Sequence, residues 1–246
     1  MTRIIIVLSV LLLSACHAPP REGADTASAT ATEVFPGVTL NAATRTVTFD
    51  AVVPNEAHDA PAWVLLESVV CTPNTREHET LLVADVRPSH VHAALLAIGL
   101  EPGEPGGFAW TGSALEPRRA RGPRLIIAFE YASPDGAVQF VEPQAWIVRA
   151  GDGAPFPDRL SSVPQTGWLF AGSEIIDGAA QRDVPYAADR EGTLIGLSTF
   201  GSETITWAET WTPESAYAVV EWVANPDTIP PAGTLVTVHI RPEAQE

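Results

Sequence analysis

The sequence predicts an α+β fold: one β-rich domain over residues 34–246, mostly of antiparallel strands, with one clear amphipathic helix at about 89–98. Two observations predict it. Short apolar and β-branched runs recur along the chain between Gly, Asp and Pro turn signals, which is the pattern of strands. One stretch switches to helical spacing: Val91, Ala94, Leu95 and Ile98 fall at i, i+3, i+4 and i+7, with Ser89 as N-cap and Gly99 as the C-terminal glycine. No clear internal repeat divides the chain.

The N-terminus reads as an export signal. Thr2-Arg3 supplies a short positive region and residues 4–13 an apolar run. A membrane-spanning helix needs about 20 apolar residues, so this run is of signal-peptide length. It ends in Leu13-Ser14-Ala15-Cys16, which resembles the bacterial lipobox. That resemblance implies cleavage after residue 15 and lipidation of Cys16, whose acyl chains each add about 0.8 kcal/mol of membrane affinity per buried CH₂. His17 follows, with no Asp to retain the protein at the inner membrane, so the expected address is the bacterial cell envelope, lipid-anchored at the outer membrane and facing the periplasm. Residues 16–33, small and polar with a Pro pair, are expected to be a disordered tether reaching roughly 20–25 Å.

Within the domain, residues 38–40 and 45–52 flank the polar turn 41–44 and form a hairpin. Residues 63–70 are a nearly continuous apolar run that suits a buried strand, with Glu67 as its one charge. Residues 81–86 form another strand, His78 beginning its approach. Residues 125–131 and 138–148 flank the turn signal Ser133-Pro134-Asp135-Gly136, and Pro143 splits the second run into two short strands. Residues 101–107 are a loop, as is the arginine-bearing stretch 116–124, which reads either as a solvated loop or as a local anion or partner site. Residues 168–171, 174–176, 193–200, 204–207 and 234–240 are further strands, 155–166 is an irregular connector, and 214–224 is either a short helix or a strand.

Charge narrows the partners. The chain holds 14 Lys+Arg, all arginine, against 30 Asp+Glu, a net charge of -16. Without lysine there is no Schiff base, Walker-type phosphate loop or Ser-Lys pair. So acidic a surface repels phosphate backbones, and nucleic acid is not expected as a partner. With Cys16 lipidated, Cys71 is the one thiol left, so no intramolecular disulfide forms.

Chemistry-bearing residues concentrate at 67–92, which holds Cys71, His78, His90 and His92. A Cys71/His78 pair meeting across the turn would be the minimum for a thiolate nucleophile. From a regular strand, His78 and Glu79 face opposite ways. His90 and His92 lie about 200° apart around a helix and cannot chelate one metal as an i, i+4 pair does. Neither CxxC nor HExxH occurs, so no cofactor or metal is expected, the alternative being a divalent metal such as zinc held by Cys71, His78 and one further histidine. Trp168 and Asp189, with His90 and His92, are the candidates for binding.

Cys71-Thr72-Pro73, Arg76-Glu77-His78-Glu79, Ser89-His90-Val91-His92 and Gly99-Leu100-Glu101-Pro102-Gly103, with Gly167 to Ser173 and Tyr186-Ala187-Ala188-Asp189, resemble the YdjY-type domain of bacterial exported proteins. The resemblance implies an exported domain and carries no reaction with it. Some relatives are linked to ferredoxin-like modules, but this chain lacks the clustered cysteines of an iron–sulfur centre. The expected function is that of a membrane-anchored, non-catalytic binding or interaction module with a protein or small-molecule partner. The alternative is a thiol- or metal-dependent enzyme centred on Cys71 and His78, with Glu79 beside them.

Overall fold

The computed structural model describes residues 31–57, 63–158, 167–176, 185–212 and 221–244. The signal run, Cys16 and the tether to residue 30 lie outside these residues. The described chain opens with a hairpin of β1 (Thr32–Phe35) and β2 (Val38–Asn41), and β2 pairs with β3 (Thr46–Val52). From β3 an eight-membered ring continues through β15 (Leu235–Pro242), β8 (Arg124–Ala132), β11 (Trp168–Phe170), β13 (Ile205–Trp207), β12 (Thr193–Gly196), β4 (Ser68–Cys71) and β5 (Thr80–Val83). It closes where Val83 of β5 pairs with Val52 of β3. The result is a β-barrel.

The three long neighbours β3, β15 and β8 owe their form to alternation. Val47, Phe49 and Ala51, then Leu125, Ile127 and Phe129, then Val236, Val238 and Ile240, are buried at every second position. Their other face mixes apolar residues such as Ile126 and Leu235 with polar pairs: His239 Nε2 lies 2.7 Å from Glu130, and Thr237 donates to Asp50 at 2.9 Å. The short strands β4, β12 and β13 are buried at every residue, because covering elements close both faces. Expected antiparallel pairing holds for most of the ring, but β4–β5 and β12–β13 are parallel. The centre is aromatic: Trp168 and Trp207 meet edge to face at 4.9 Å, and Phe129 packs on Trp146.

The helix α1 (Pro88–Ala97) buries Val91, Ala94 and Leu95 against β2 and β3, as its spacing predicts. Gly99 follows its end with φ of 82°. The start differs from expectation: Arg87 occupies the N-cap position and Ser89 lies inside the first turn. Pro143 breaks its run as expected, leaving β9 (Val138–Val141), a tight turn Pro143–Trp146 and β10 (Ile147–Arg149), which pairs with β14 (Trp222–Ala224). For the run 214–224, the described part is thus strand; residues 213–220 lie outside the described set, as do 159–166 of the connector.

Several expectations need correction. The run 63–70 enters the sheet only at Ser68, and Trp63 and Leu65 are exposed, because Leu65 makes only an isolated bridge to Val223. The strand expected over 81–86 is Thr80–Val83, and His78 sits in a tight turn, Glu77–Glu79, before it. The strand expected over 193–200 ends at Gly196. The stretches read as loops at 101–107 and 116–124 contribute a hairpin of β6 (Gly107–Trp110) and β7 (Leu115–Arg118). A second helix, α2 (Ala187–Glu191), was not predicted.

Register decides where the connections gather. β8 and β13 run antiparallel to β11, β12 runs parallel to β13, and β4 with β5 runs opposite to β12. One end of the barrel therefore collects the loop after Cys71, the entry to α1, the loop after β11, the entry to β13 and the helix α2 that leads into β12.

Candidate functional site

At that end, loop 171–173, α2 and the first turns of α1 are linked by a relay of caps. Gly172 and Ser173 leave β11 and hydrogen-bond through their N–H groups to the carbonyls of Thr204 and Glu203. Ser173 has a left-handed backbone, φ 56°, an unfavourable state for a residue with a side chain. Its hydroxyl donates to Ser202 O at 2.5 Å and accepts from Ala188 N at 3.2 Å, capping α2. From α2, the Asp189 carboxylate accepts the Ser89 N–H at 2.7 Å and the Ser89 hydroxyl at 2.5 Å, capping α1. A carboxylate here also faces the positive end of the helix dipole. Neither helix supplies its own side-chain cap; each takes one from a neighbour distant in sequence.

Inside this relay lie His92 and Tyr186. The Tyr186 hydroxyl is 2.9 Å from His92 Nδ1, 3.1 Å from Thr204 Oγ1 and donates to Gly172 O at 3.0 Å. Burial pushes the phenol up and the imidazole down, so both are held neutral at physiological pH. The His92 ring also meets Phe170 edge to face at 4.9 Å. Gly172 makes the approach possible: its φ is 92°, and a Cβ there would stand 2.4 Å from Pro102. Together His92, Tyr186, Ser89, Ser173, Pro102 and Glu174 border a cleft of about 410 Å³. That size and mix of neutral donors and apolar walls suit a small ligand or a short partner segment.

The other candidates divide. His90 points away from this cleft, stacked on Phe35 at 4.9 Å, with its Nδ1 buried and lacking a hydrogen-bond partner among the described residues. Trp168 is fully buried in the core, its indole N–H donating to Gln144 at 3.3 Å, so it has no surface to offer a ligand. Cys71 is also buried; desolvation pushes its thiol up, against hydrogen bonds from Thr75 and the Arg76 main chain. These are the reverse of the conditions that activate a thiol. His78 is exposed, its Nε2 3.8 Å from Glu79 Oε1, because a tight turn replaces the regular strand that would have parted them. In register, Cys71 is level with Val83, whereas His78 precedes Thr80, the residue level with Ser68. Asp189 reaches the His92 cleft only through Ser89 and itself borders, with His90, a separate cleft of about 520 Å³, while Cys71 and His78 have different partners. Among the described residues, no group of three or more His, Cys, Asp or Glu is placed to hold a metal.

A buried acid network has no signature in the sequence beyond Glu67, the one charge of an apolar run. Arg76 lies over the Phe200 ring at 4.1 Å, donates to Thr193 Oγ1 at 2.8 Å and sits 3.6 Å from Glu67. Burial, then the hydrogen bond and charge of Glu79, raise the Glu67 carboxyl to about 7 despite the pull of Arg76. Glu203 is wholly buried and raised by the same desolvation; it accepts hydrogen bonds from Phe200 N and Gly201 N.

The family model for the YdjY domain matches residues 38–241. The chain belongs to the YdjY domain family. No curated protein and no solved structure matches it. The segments that carry the likeness are scattered in the chain, yet the structure brings Ser89, His92, Pro102, Gly103, Gly172, Ser173 and Tyr186 together around the cleft, with Asp189 behind it on Ser89.

Proposed function

We propose that this YdjY-domain protein is a non-catalytic binding or interaction module, held at the bacterial envelope by a lipid on Cys16, and that the His92–Tyr186 cleft receives its ligand. The observation that carries the reading is the relay from Ser173 through α2 and Asp189 to α1. It fixes the cleft before any ligand arrives, so binding need not order the walls. Its polar groups are spent on one another: His92 on Tyr186, Ser89 on Asp189. Tyr186 gives its proton to the Gly172 carbonyl and Ser89 gives its own to the Asp189 cap of α1, so both hydroxyls serve structural bonds, which favours a receptor over covalent catalysis. The net charge of -16 makes a nucleic-acid ligand unfavourable.

The test screens the full chain in neutral detergent by thermal shift and calorimetry against short peptides, glycans and peptidoglycan fragments. The reading expects saturable binding by one class, weakened in His92→Ala and in Ile175→Ala, which alters an exposed apolar side chain bordering the same cleft, and unaffected in Cys71→Ala. Turnover of a bound compound that disappears in Cys71→Ala would replace it with the thiol-enzyme alternative. Mass analysis of the envelope-extracted chain checks the anchor: an unmodified Cys16 ends that part.

A further inference from the structure

The arginine-bearing stretch beyond β7 forms a second cleft, separate from the His92–Tyr186 cleft and independent of the function proposed for it. This cleft, about 700 Å³, is bordered by Arg118, Arg119, Arg121 and Arg124, with Leu169 and Ala208 behind them. Among the described residues, no carboxylate borders it, although the chain carries 30 Asp and Glu against 14 Arg.

The wall is anchored, not a free loop. Glu104 and Arg121 exchange both main-chain hydrogen bonds at 2.9 Å, extending the β6–β7 hairpin to its base. Phe170 of β11 then binds both sides of that base, accepting from Gly103 N and donating to Pro123 O, each at 3.0 Å. Gly122 is required here: its φ is 153°, and a Cβ would lie 2.1 Å from Phe170 O. The guanidinium groups therefore stand on main chain tied to the barrel.

Their charge can be counted. Arg121 pairs with Glu104 at 2.5 Å and Arg124 with Glu243 at 2.5 Å, neither carboxylate being among the described residues that border the cleft. Arg118 and Arg119 hold no ion pair among the described residues, though Arg118 lies near enough to Glu104 to help lower its carboxyl. Among the described residues, four guanidinium charges less the two paired carboxylates leave a local excess of two positive charges. Guanidinium forks match the geometry of phosphate oxygens bidentately. A phosphate monoester carries about -1.5 to -2 at pH 7, which balances this excess; a monocarboxylate or a phosphodiester would leave part of it uncompensated. The repulsion of the whole acidic molecule is screened beyond about 8–10 Å, so a small anion reaches the site where a polyanion would not.

We propose that the Arg118–Arg119–Arg121–Arg124 cleft binds a phosphate monoester. Such a group comes either on a soluble metabolite or on a lipid headgroup. The test uses the full chain in neutral detergent micelles and calorimetric titration with glycerol 3-phosphate, dimethyl phosphate and sulfate. A parallel arm incorporates phosphatidic acid or phosphatidylcholine into the micelles. Saturable glycerol 3-phosphate binding is expected, at least about tenfold tighter than dimethyl phosphate, weakened by added salt and by about tenfold or more in Arg118→Ala/Arg119→Ala. Arg118→Lys/Arg119→Lys, which keeps charge but loses the fork, should fall between. Binding of phosphatidic acid but not glycerol 3-phosphate assigns the lipid source; binding of both assigns the soluble one. Both arginine variants alter exposed side chains, and unchanged circular dichroism verifies their fold. Absence of saturable binding in both arms, or equal binding by the double alanine variant, overturns the proposal.

Discussion

Replacing Glu67 with glutamine should remove a pH dependence of stability that can be worked out from its surroundings. Glu67 is largely enclosed, hydrogen-bonded to Glu79 and 3.6 Å from Arg76, and its carboxyl is raised from 4.5 to about 7, by burial first and by Glu79 second. The folded state therefore holds this proton more tightly than the unfolded chain. Its contribution is complete below pH 4.5 and is lost as pH rises through about 7. At about 1.4 kcal/mol per pH unit, the interval between these two values sets a ceiling of about 3 kcal/mol. Glu79 retains 30% of its side-chain exposure, so water screens part of the repulsion. A loss of roughly 1–2 kcal/mol between pH 5.5 and 8 is the expected size. Glutamine keeps the shape and can donate to Glu79 as the protonated acid does, but it does not titrate. Urea unfolding of wild type and Glu67→Gln at both pH values isolates the effect, since other titrating groups cancel in the comparison. Equal losses in the two proteins, or a relative gain by wild type at pH 8, would refute the shared-proton arrangement.

Asp189→Ala should uncap α1 and cost about 1–2 kcal/mol in chemical denaturation, because the Ser89 N–H and hydroxyl lose their acceptor; an unchanged midpoint would mean that the cap is not formed. His92 should titrate below 6.5 by NMR, so the stability linked to it is complete above 6.5 and falls as pH drops through the lowered value; a midpoint above 6.5 contradicts its burial beside Tyr186. The Cys71 thiol should resist a thiol reagent at pH 8 until denaturant is added, and rapid modification of the folded chain would show that it is accessible after all.

Much of the barrel was legible where a local rule acts alone. Apolar and β-branched runs between turn signals marked β3, β8 and β15, each of which the structure buries at every second position. Helical spacing marked α1, and Pro143 marked the break before Trp146. Illegible elements depend on distant partners. The five residues of α2 have no cap of their own, and Ser173, which supplies one, is fifteen positions from Ala188. Parallel pairing of β4 with β5 leaves no turn signature, because the connection is not a hairpin. The site shows the same division. Asp189 and His92 could be named from the chain, but their partners Ser89 and Tyr186 lie 100 and 94 positions away. Trp168 was misleading because a tryptophan reads alike in a core and in a groove.

The parallel pairs also account for the buried acids. A connection between parallel strands must travel the length of the barrel, and its main-chain N–H groups have no ladder to join. Between β12 and β13 that connection includes residues 197–203. Leu197 and Ser198 donate their N–H groups to the carbonyl of Glu67, at 3.0 and 2.9 Å, while Phe200 and Gly201 donate theirs to the Glu203 carboxylate. Gly196 leaves room for this, since a Cβ there would stand 2.4 Å from Glu203. Arg76, carried on the other parallel connection, covers Phe200 and reaches Thr193. The two connections are thus held to each other by the arginine, and the acid satisfies donors that the sheet cannot. A buried carboxylate with raised affinity for its proton invites a catalytic reading. Here Glu203 is committed to backbone donors and Glu67 to Arg76 and Glu79, so their perturbed acidity follows from how the barrel closes.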